Sequence, residues 1–177
     1  AKRNIARRLA ARNLKGVVVP FDTDLTKLKF DYSAVIISNG PGDPKMAART
    51  IVNIKKIMGK VPILGICLGN QILALAAGGT TYKLKFGHRS QNQPCFVKTT
   101  QGRSALKNRA FLTTQNHGFA VGKITRGFRE WFQNANDNTN EGIIHEELPF
   151  MSVQFHPEAC PGPVDTGWVF DEFLKKI

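Results

Sequence analysis

The chain has 177 residues, 42% of them hydrophobic, which suits a single domain with a real core. No stretch approaches the roughly 20 apolar residues of a membrane helix, and no secretory leader is visible. The balance is strongly basic, +12 with a pI near 10.0, but the lysines and arginines are scattered and no zinc knuckle, basic zipper or RNP-type aromatic pattern accompanies them. A nucleic-acid partner is therefore disfavoured against a basic surface or docking face. Three cysteines, Cys67, Cys95 and Cys160, are too few and too odd for a disulfide framework, and a reducing, cytoplasmic setting is expected.

In chain order, a helix is expected over Asn4 to Asn13. Ile5, Leu9 and Leu14 point inward, and Lys2, Arg3, Arg7, Arg8, Arg12 and Lys15 decorate its solvated face. Short apolar runs read as buried strands: Val17 to Val19, Ala34 to Ile37 and Ile63 to Ile66. Helices are expected over Met46 to Met58 and over Leu68 to Ala77, the latter stopped by Gly78-Gly79. The second half carries strand candidates at Thr81 to Leu84, Cys95 to Lys98, Phe111 to Thr114, Trp131 to Ala135, Gly142 to His145 and Phe150 to Phe155, then a closing helix from Asp165 to Lys176. The expected fold is α/β: an open, mostly parallel sheet with helices on both faces and some antiparallel strands.

Gly65-Ile66-Cys67-Leu68-Gly69 is the most informative segment. A buried strand ends at Ile66, a helix starts just after Cys67, and the glycines permit the tight turn of a nucleophile elbow. Such a turn lifts the side chain above the sheet, sets it at a helix N-terminus that favours a thiolate, and turns the Leu68 N–H toward a developing oxyanion. A structural cysteine between two packing glycines fits the pentapeptide equally well. A base is required, and His156 is the best placed of the four histidines. It follows the apolar strand Phe150 to Phe155, where sites gather in open α/β sheets, and Glu158 two residues on can orient its imidazole. An isolated His-Pro-Glu is more simply a strand-end turn; paired with the elbow it loses that advantage. Ser38 to Pro44 forms a rigid loop after another buried strand, with backbone amides free to meet a ligand. Gln115 to Phe119 reads as a polar break in the strand-rich half, and His117 as a structural hydrogen-bonder.

Taken together, SNGPGDP (38–44), GICLGNQILALAAGG (65–79), QNHGFAV (115–121) and SVQFHPEACPGPVDT (152–166) resemble a class I glutamine amidotransferase. More narrowly, they resemble the amidotransferase of glutamine-dependent carbamoyl-phosphate synthetase. NQPC (92–95) and NANDNTNEGIIHE (134–146) look most like the forms fused into large eukaryotic polypeptides. The resemblance implies that Cys67 is the nucleophile of a γ-glutamyl thioester and that His156 and Glu158 complete a triad. It also implies that Gly40, Gly42, Leu68, Gln71, Asn116, Gly118 and Phe119 hold L-glutamine. No metal or cofactor is implied in this domain; ATP and Mg would belong to a synthetase domain or large subunit that receives the ammonia and makes carbamoyl phosphate for pyrimidine or arginine synthesis. Residues 1–177 would then be the glutaminase domain of a longer chain, with a strand, an N-terminal domain and one further glutamine contact before it. Many relatives have His where Asn70 stands, a change expected to tune packing or affinity. The competing readings are the amidotransferase of another class I synthase, such as one serving anthranilate, GMP or CTP synthesis, and a non-enzymatic basic binding module.

Overall fold

The computed structural model describes residues 1–100 and 104–177. Its elements run α1 (Arg3–Ala10), β1 (Val35–Ile37), α2 (Ala48–Ile57), β2 (Ile63–Ile66), α3 (Leu68–Ala76), β3 (Thr81–Val97), β4 (Ala110–Val121), β5 (Phe128–Asn134), β6 (Asn140–His145), β7 (Phe150–Val153) and α4 (Trp168–Leu174). The strands form one seven-stranded sheet in the order β1-β2-β7-β6-β4-β3-β5.

Alternation along β2 and β7 explains the layering, because successive strand side chains face opposite ways. Leu64, Ile66, Met151 and Val153 pack with Ile5 of α1 and Val169, Phe170 and Phe173 of α4. Ile63 and Phe150 turn to the other face, where Ile54 and Ile57 of α2 and Ile72 and Leu73 of α3 cover them. Helices thus lie on both faces, and the α/β class stands. The parallel share is smaller than expected. Only β1–β2 and β2–β7 are parallel, and every other described pairing is antiparallel. The reason lies in β6, which pairs with β5 as well as with β4 and β7, so that β6, β4, β3 and β5 close into an antiparallel ring beside the parallel core.

Two expected strands, Thr81 to Leu84 and Cys95 to Lys98, are parts of the single strand β3, which bends through register shifts between Lys83 and His88 and between Ser90 and Gln93. The segment read as a polar break, Gln115 to Phe119, lies inside β4. Its Gln115 and His117 side chains are buried against each other within the ring instead of ending the strand, while Asn116 between them is exposed. Val17 to Val19 forms no strand: Val17 and Val18 are 59% and 80% exposed. An apolar run becomes a strand only where a neighbour supplies ladder hydrogen bonds, and no described strand pairs with it.

The expectation of a purely solvated basic face on α1 is also corrected. Lys2 reaches inward, Arg12 forms a bidentate pair with Asp171 (2.6 and 3.0 Å), and the Arg8 Nε donates to the Glu158 carbonyl at 3.3 Å. No described helix is long and apolar enough to cross a membrane.

Candidate active site

The turn from β2 into α3 is built by close packing. A Cβ on Gly65 would collide with the Gly69 backbone, and one on Gly69 with the Ile37 carbonyl on β1, so both glycines let α3 sit tight on the sheet. Cys67 between them adopts φ 56 and ψ −104, a region that L-residues occupy only when the surroundings force it. Its own N–H is held by the Val153 carbonyl at 2.8 Å. The glycines pack as expected, and the packing imposes the strained strand-to-helix turn on Cys67.

The Cys67 side chain opens onto a cleft of about 890 Å³. His156 lines the same cleft, as do all seven residues expected to bind substrate: Gly40, Gly42, Leu68, Gln71, Asn116, Gly118 and Phe119. Glu158 lies behind the wall, fully buried, with its Oε1 2.7 Å from His156 Nδ1. Because a carboxylate accepts only, this contact places a proton on Nδ1 and leaves Nε2 of a neutral ring as the basic nitrogen. Burial works against the Glu158 charge, but the hydrogen bond and charge of His156, with Lys2, outweigh it and hold the carboxyl below its usual range.

Burial pushes the Cys67 thiol up to about 12; the Leu68 N–H and Lys2 oppose this, while the charges of Glu158 and Glu141 add to it. Burial thus favours the thiol at rest over the thiolate that a helix N-terminus would promote, and a neighbouring base would assist its deprotonation.

Three features add to the sequence reading of the site. Lys2, read as a surface residue, lines the cleft; its Nζ lies 3.2 Å from Glu158 Oε1 and donates to the Ala159 carbonyl at 3.0 Å. Asn4 Nδ2 also donates to the Glu158 carbonyl, so α1 clamps the His156–Glu158 turn from outside. The signal was the Lys2-x-Asn4 spacing, which a helix-face reading assigns to solvent. Asn70 faces away from the cleft, fully buried, receiving the Ser152 hydroxyl (2.7 Å) and donating to Gln154 Oε1 (3.1 Å). That same Gln154 oxygen takes Gln71 Nε2 at 3.0 Å, so Asn70 helps to set a cleft residue without touching the cleft. Third, β4 backs the whole site. Its Thr114 carbonyl accepts from the His156 N–H at 2.9 Å, and its Phe119 carbonyl accepts from Gln71 Nε2 at 2.8 Å.

A strained cysteine at a strand-to-helix turn and a carboxylate-held histidine, both lining one cleft, have the layout of a nucleophile elbow with a neighbouring base. The class-I glutamine amidotransferase family model matches residues 1–176, and the chain belongs to that family. Its curated relatives include the carbamoyl phosphate synthase small chain of Methanopyrus kandleri, 51% identical over 177 residues that cover 98% of this chain and 47% of that protein. They also include the multifunctional protein URA2 of Saccharomyces cerevisiae, 46% identical over 180 residues, 99% of this chain and 8% of that protein. The chain spans about half the length of the small chains it matches, and separate small chains stand beside a multifunctional polypeptide among its relatives. Among solved structures, a GMP synthase subunit from Thermoplasma acidophilum superposes with a TM-score of 0.81 at 22% identity, over 97% of this chain and 85% of that one. At that identity the likeness concerns the fold alone.

Proposed function

We propose that this chain is the glutaminase domain of a longer protein, hydrolysing L-glutamine to glutamate and ammonia through Cys67, His156 and Glu158. The observation that carries the reading is the convergence on one cleft of the strained Cys67 and of His156, whose Nδ1 is fixed 2.7 Å from Glu158. The Cys67 sulfur attacks the side-chain amide carbon while its proton passes to His156 Nε2. Charge developing on the amide oxygen meets the Leu68 N–H at the start of α3. The intermediate collapses as the imidazolium returns the proton to the leaving nitrogen, freeing ammonia and a γ-glutamyl thioester. Water, deprotonated by His156, then cleaves the thioester to glutamate and the free thiol. Glu158 stabilises the imidazolium and stays ionised throughout. Gly40, Gly42, Leu68, Gln71, Asn116, Gly118 and Phe119 are the residues proposed to hold the amino acid.

The names of the relatives support carbamoyl-phosphate synthetase, as a domain or large subunit, as the ammonia acceptor; ATP and Mg would act there. The three free cysteines suit a reducing, cytoplasmic setting. In the protein with its flanking segments and synthetase, Cys67→Ser is expected to abolish glutamine hydrolysis while ammonia-driven synthesis persists. Glutaminase activity surviving in that variant, with Cys95 or Cys160 acylated, overturns the assignment.

A further inference from the structure

Among the described residues, a group of buried ionisable side chains outside the triad sits in the antiparallel ring. Every strand of the ring contributes: His88 from β3, Gln115 and His117 from β4, Asn134 from β5 and Glu141 from β6. Glu141 is 0% exposed. Its Oε1 lies 3.1 Å from His88 Nδ1 and accepts from Asn134 Nδ2 at 3.4 Å, while its Oε2 is buried without a partner among the described residues. Burying a carboxylate is costly, and an amide of the same shape would avoid most of that cost. The charge therefore invites an account, and the triad does not use it.

The contacts lead from Glu141 to the substrate cleft. His88 Nε2 lies 2.9 Å from Asp137 Oδ2, and His88 Nδ1 lies 2.8 Å from Gln115 Oε1. The same Gln115 oxygen is 2.9 Å from His117 Nε2, and Glu141 Oε1 is 3.8 Å from that nitrogen. The His88 and His117 rings meet edge to face with centroids 4.8 Å apart. His117 then turns outward: its Nδ1 lies 2.9 Å from the Phe119 carbonyl, which also receives Gln71 Nε2. His117 and its neighbours Asn116, Gly118 and Phe119 all line the cleft. We propose that Glu141, through its pair with His88, is a positioning residue for glutamine, fixing His117 and with it the Asn116–Phe119 edge of β4 that walls the substrate cleft. This deepens the glutaminase reading and rests on it.

The electrostatics agree with the geometry. The Glu141 hydrogen bond is the chief cause that raises His88 to about 9, with Asp137 and Gln115 adding and burial opposing. Burial raises Glu141 to about 7 against the hydrogen bonds and charge of His88 and the hydrogen bond of Asn134. Burial lowers His117 to about 4, and a neutral ring donates its single proton either to the Phe119 carbonyl or to Gln115 Oε1, not to both. Cys95 and Cys67 also face the field of Glu141, and both thiols are raised, chiefly by burial. Between about 7 and about 9 the charged pair of His88 and Glu141 is the stable form. His88, His117 and Glu141 also bring three potential ligand atoms within 4.8 Å of one another. Gln115 Oε1 lies at hydrogen-bond distance from His88 Nδ1 and from His117 Nε2 and so touches the same group.

The test is made on the protein with its native flanking segments and synthetase, comparing wild type, Glu141→Gln and Glu141→Asp in glutamate release from pH 6 to 10. For Glu141→Gln, the KM for glutamine is expected to rise about tenfold with kcat within about threefold, the scale of one lost buried charge-assisted contact. In wild type the KM should be lowest while Glu141 is ionised and His88 protonated, and should climb below about 7; Glu141→Gln should lose that acid limb and Glu141→Asp should recover part of it. A packing role alone would not move the pH profile. If Glu141→Gln does not fold, the Glu141→Asp profile and the imidazole NMR resonances of His88 and His117 in wild type carry the test. His88 and His117 resonances that do not shift as Glu141 ionises overturn the proposal. An active wild type with unchanged KM and acid limb in a folded Glu141→Gln overturns this inference alone, whereas a wild type without glutaminase activity overturns the underlying reading as well. Titration with zinc alone is expected to show no stoichiometric binding; one equivalent bound in wild type and lost in Glu141→Gln also overturns it.

Discussion

Replacing Glu158 by Gln tests the triad at its least exposed member. Glu158 is fully buried, and its Oε1 carries the His156 Nδ1–H at 2.7 Å and the Lys2 ammonium at 3.2 Å. A glutamine side chain keeps the volume and can still accept from Nδ1, so the fold should persist. What is lost is the charge facing the imidazolium that forms as the Cys67 proton moves. A hydrogen bond to a charged group contributes about 1.5–3 kcal/mol, which corresponds to about 10- to 100-fold in rate if it acts only in the transition state. The amide can also present its NH2 to Nδ1 and select the wrong tautomer. In a serine-protease triad the equivalent change costs about 10⁴-fold, which sets the upper end. The expected fall in kcat is therefore between about 10- and 10⁴-fold, with KM within about threefold because Glu158 does not line the cleft. Steady-state glutamate release by the protein with its synthetase, with ammonia-driven synthesis as the control, measures it. The stability effect has a definite sign. The folded Glu158 carboxyl lies below its usual range, so its contribution is present above the unfolded carboxylate pKa and disappears as pH falls through the folded value. Denaturation midpoints of Glu158→Gln should accordingly vary less with pH on the acid side. A kcat within threefold of wild type, or a loss confined to KM, would refute the orienting role.

Gly69→Ala should be more disruptive than its size suggests, because the new Cβ meets the Ile37 carbonyl and Cβ with no flexible atom to yield. Overpacking of this kind costs about 1–3 kcal/mol, and chemical denaturation should show it, together with a kcat loss as Leu68 shifts; a midpoint equal to wild type would show that α3 does not rest on β1 as described. Gly42→Ala is the contrast: its site is open, and only the φ of +93 resists, so the cost should stay near 1 kcal/mol. The Cys67 thiol, raised to about 12, should show no thiolate absorption between pH 6 and 9 when titrated in a Cys160→Ser background. One thiolate titrating near neutrality would contradict the resting-thiol mechanism.

How far the sequence reveals this site depends on where its information is stored. The elbow is legible because its requirement is local: Gly65 and Gly69 flank Cys67 at two residues on either side, and only glycine permits the approach of α3 to β1 and β2. His156 and Glu158 are legible for the same reason, since they stand two residues apart on the turn that follows β7. The long strands β3 and β4 are not. Their ring turns His88, Gln115, Asn134 and Glu141 toward one another, so positions that a period-two pattern reads as breaks are buried polar centres. Lys2 misleads in the opposite direction. A lysine at the head of an amphipathic helix is assigned to solvent by pattern, yet the contact that decides its place, Glu158, stands 156 residues further along the chain. Val17 to Val19 shows that hydrophobicity without a pairing neighbour specifies no strand. What sequence pattern misses here is of one kind: polar groups paired across the ring or across the whole chain. The proposed role of Glu141 belongs to that kind, since its spacing from Asn116 along the chain says nothing of the route through His88, Gln115 and His117 that joins them.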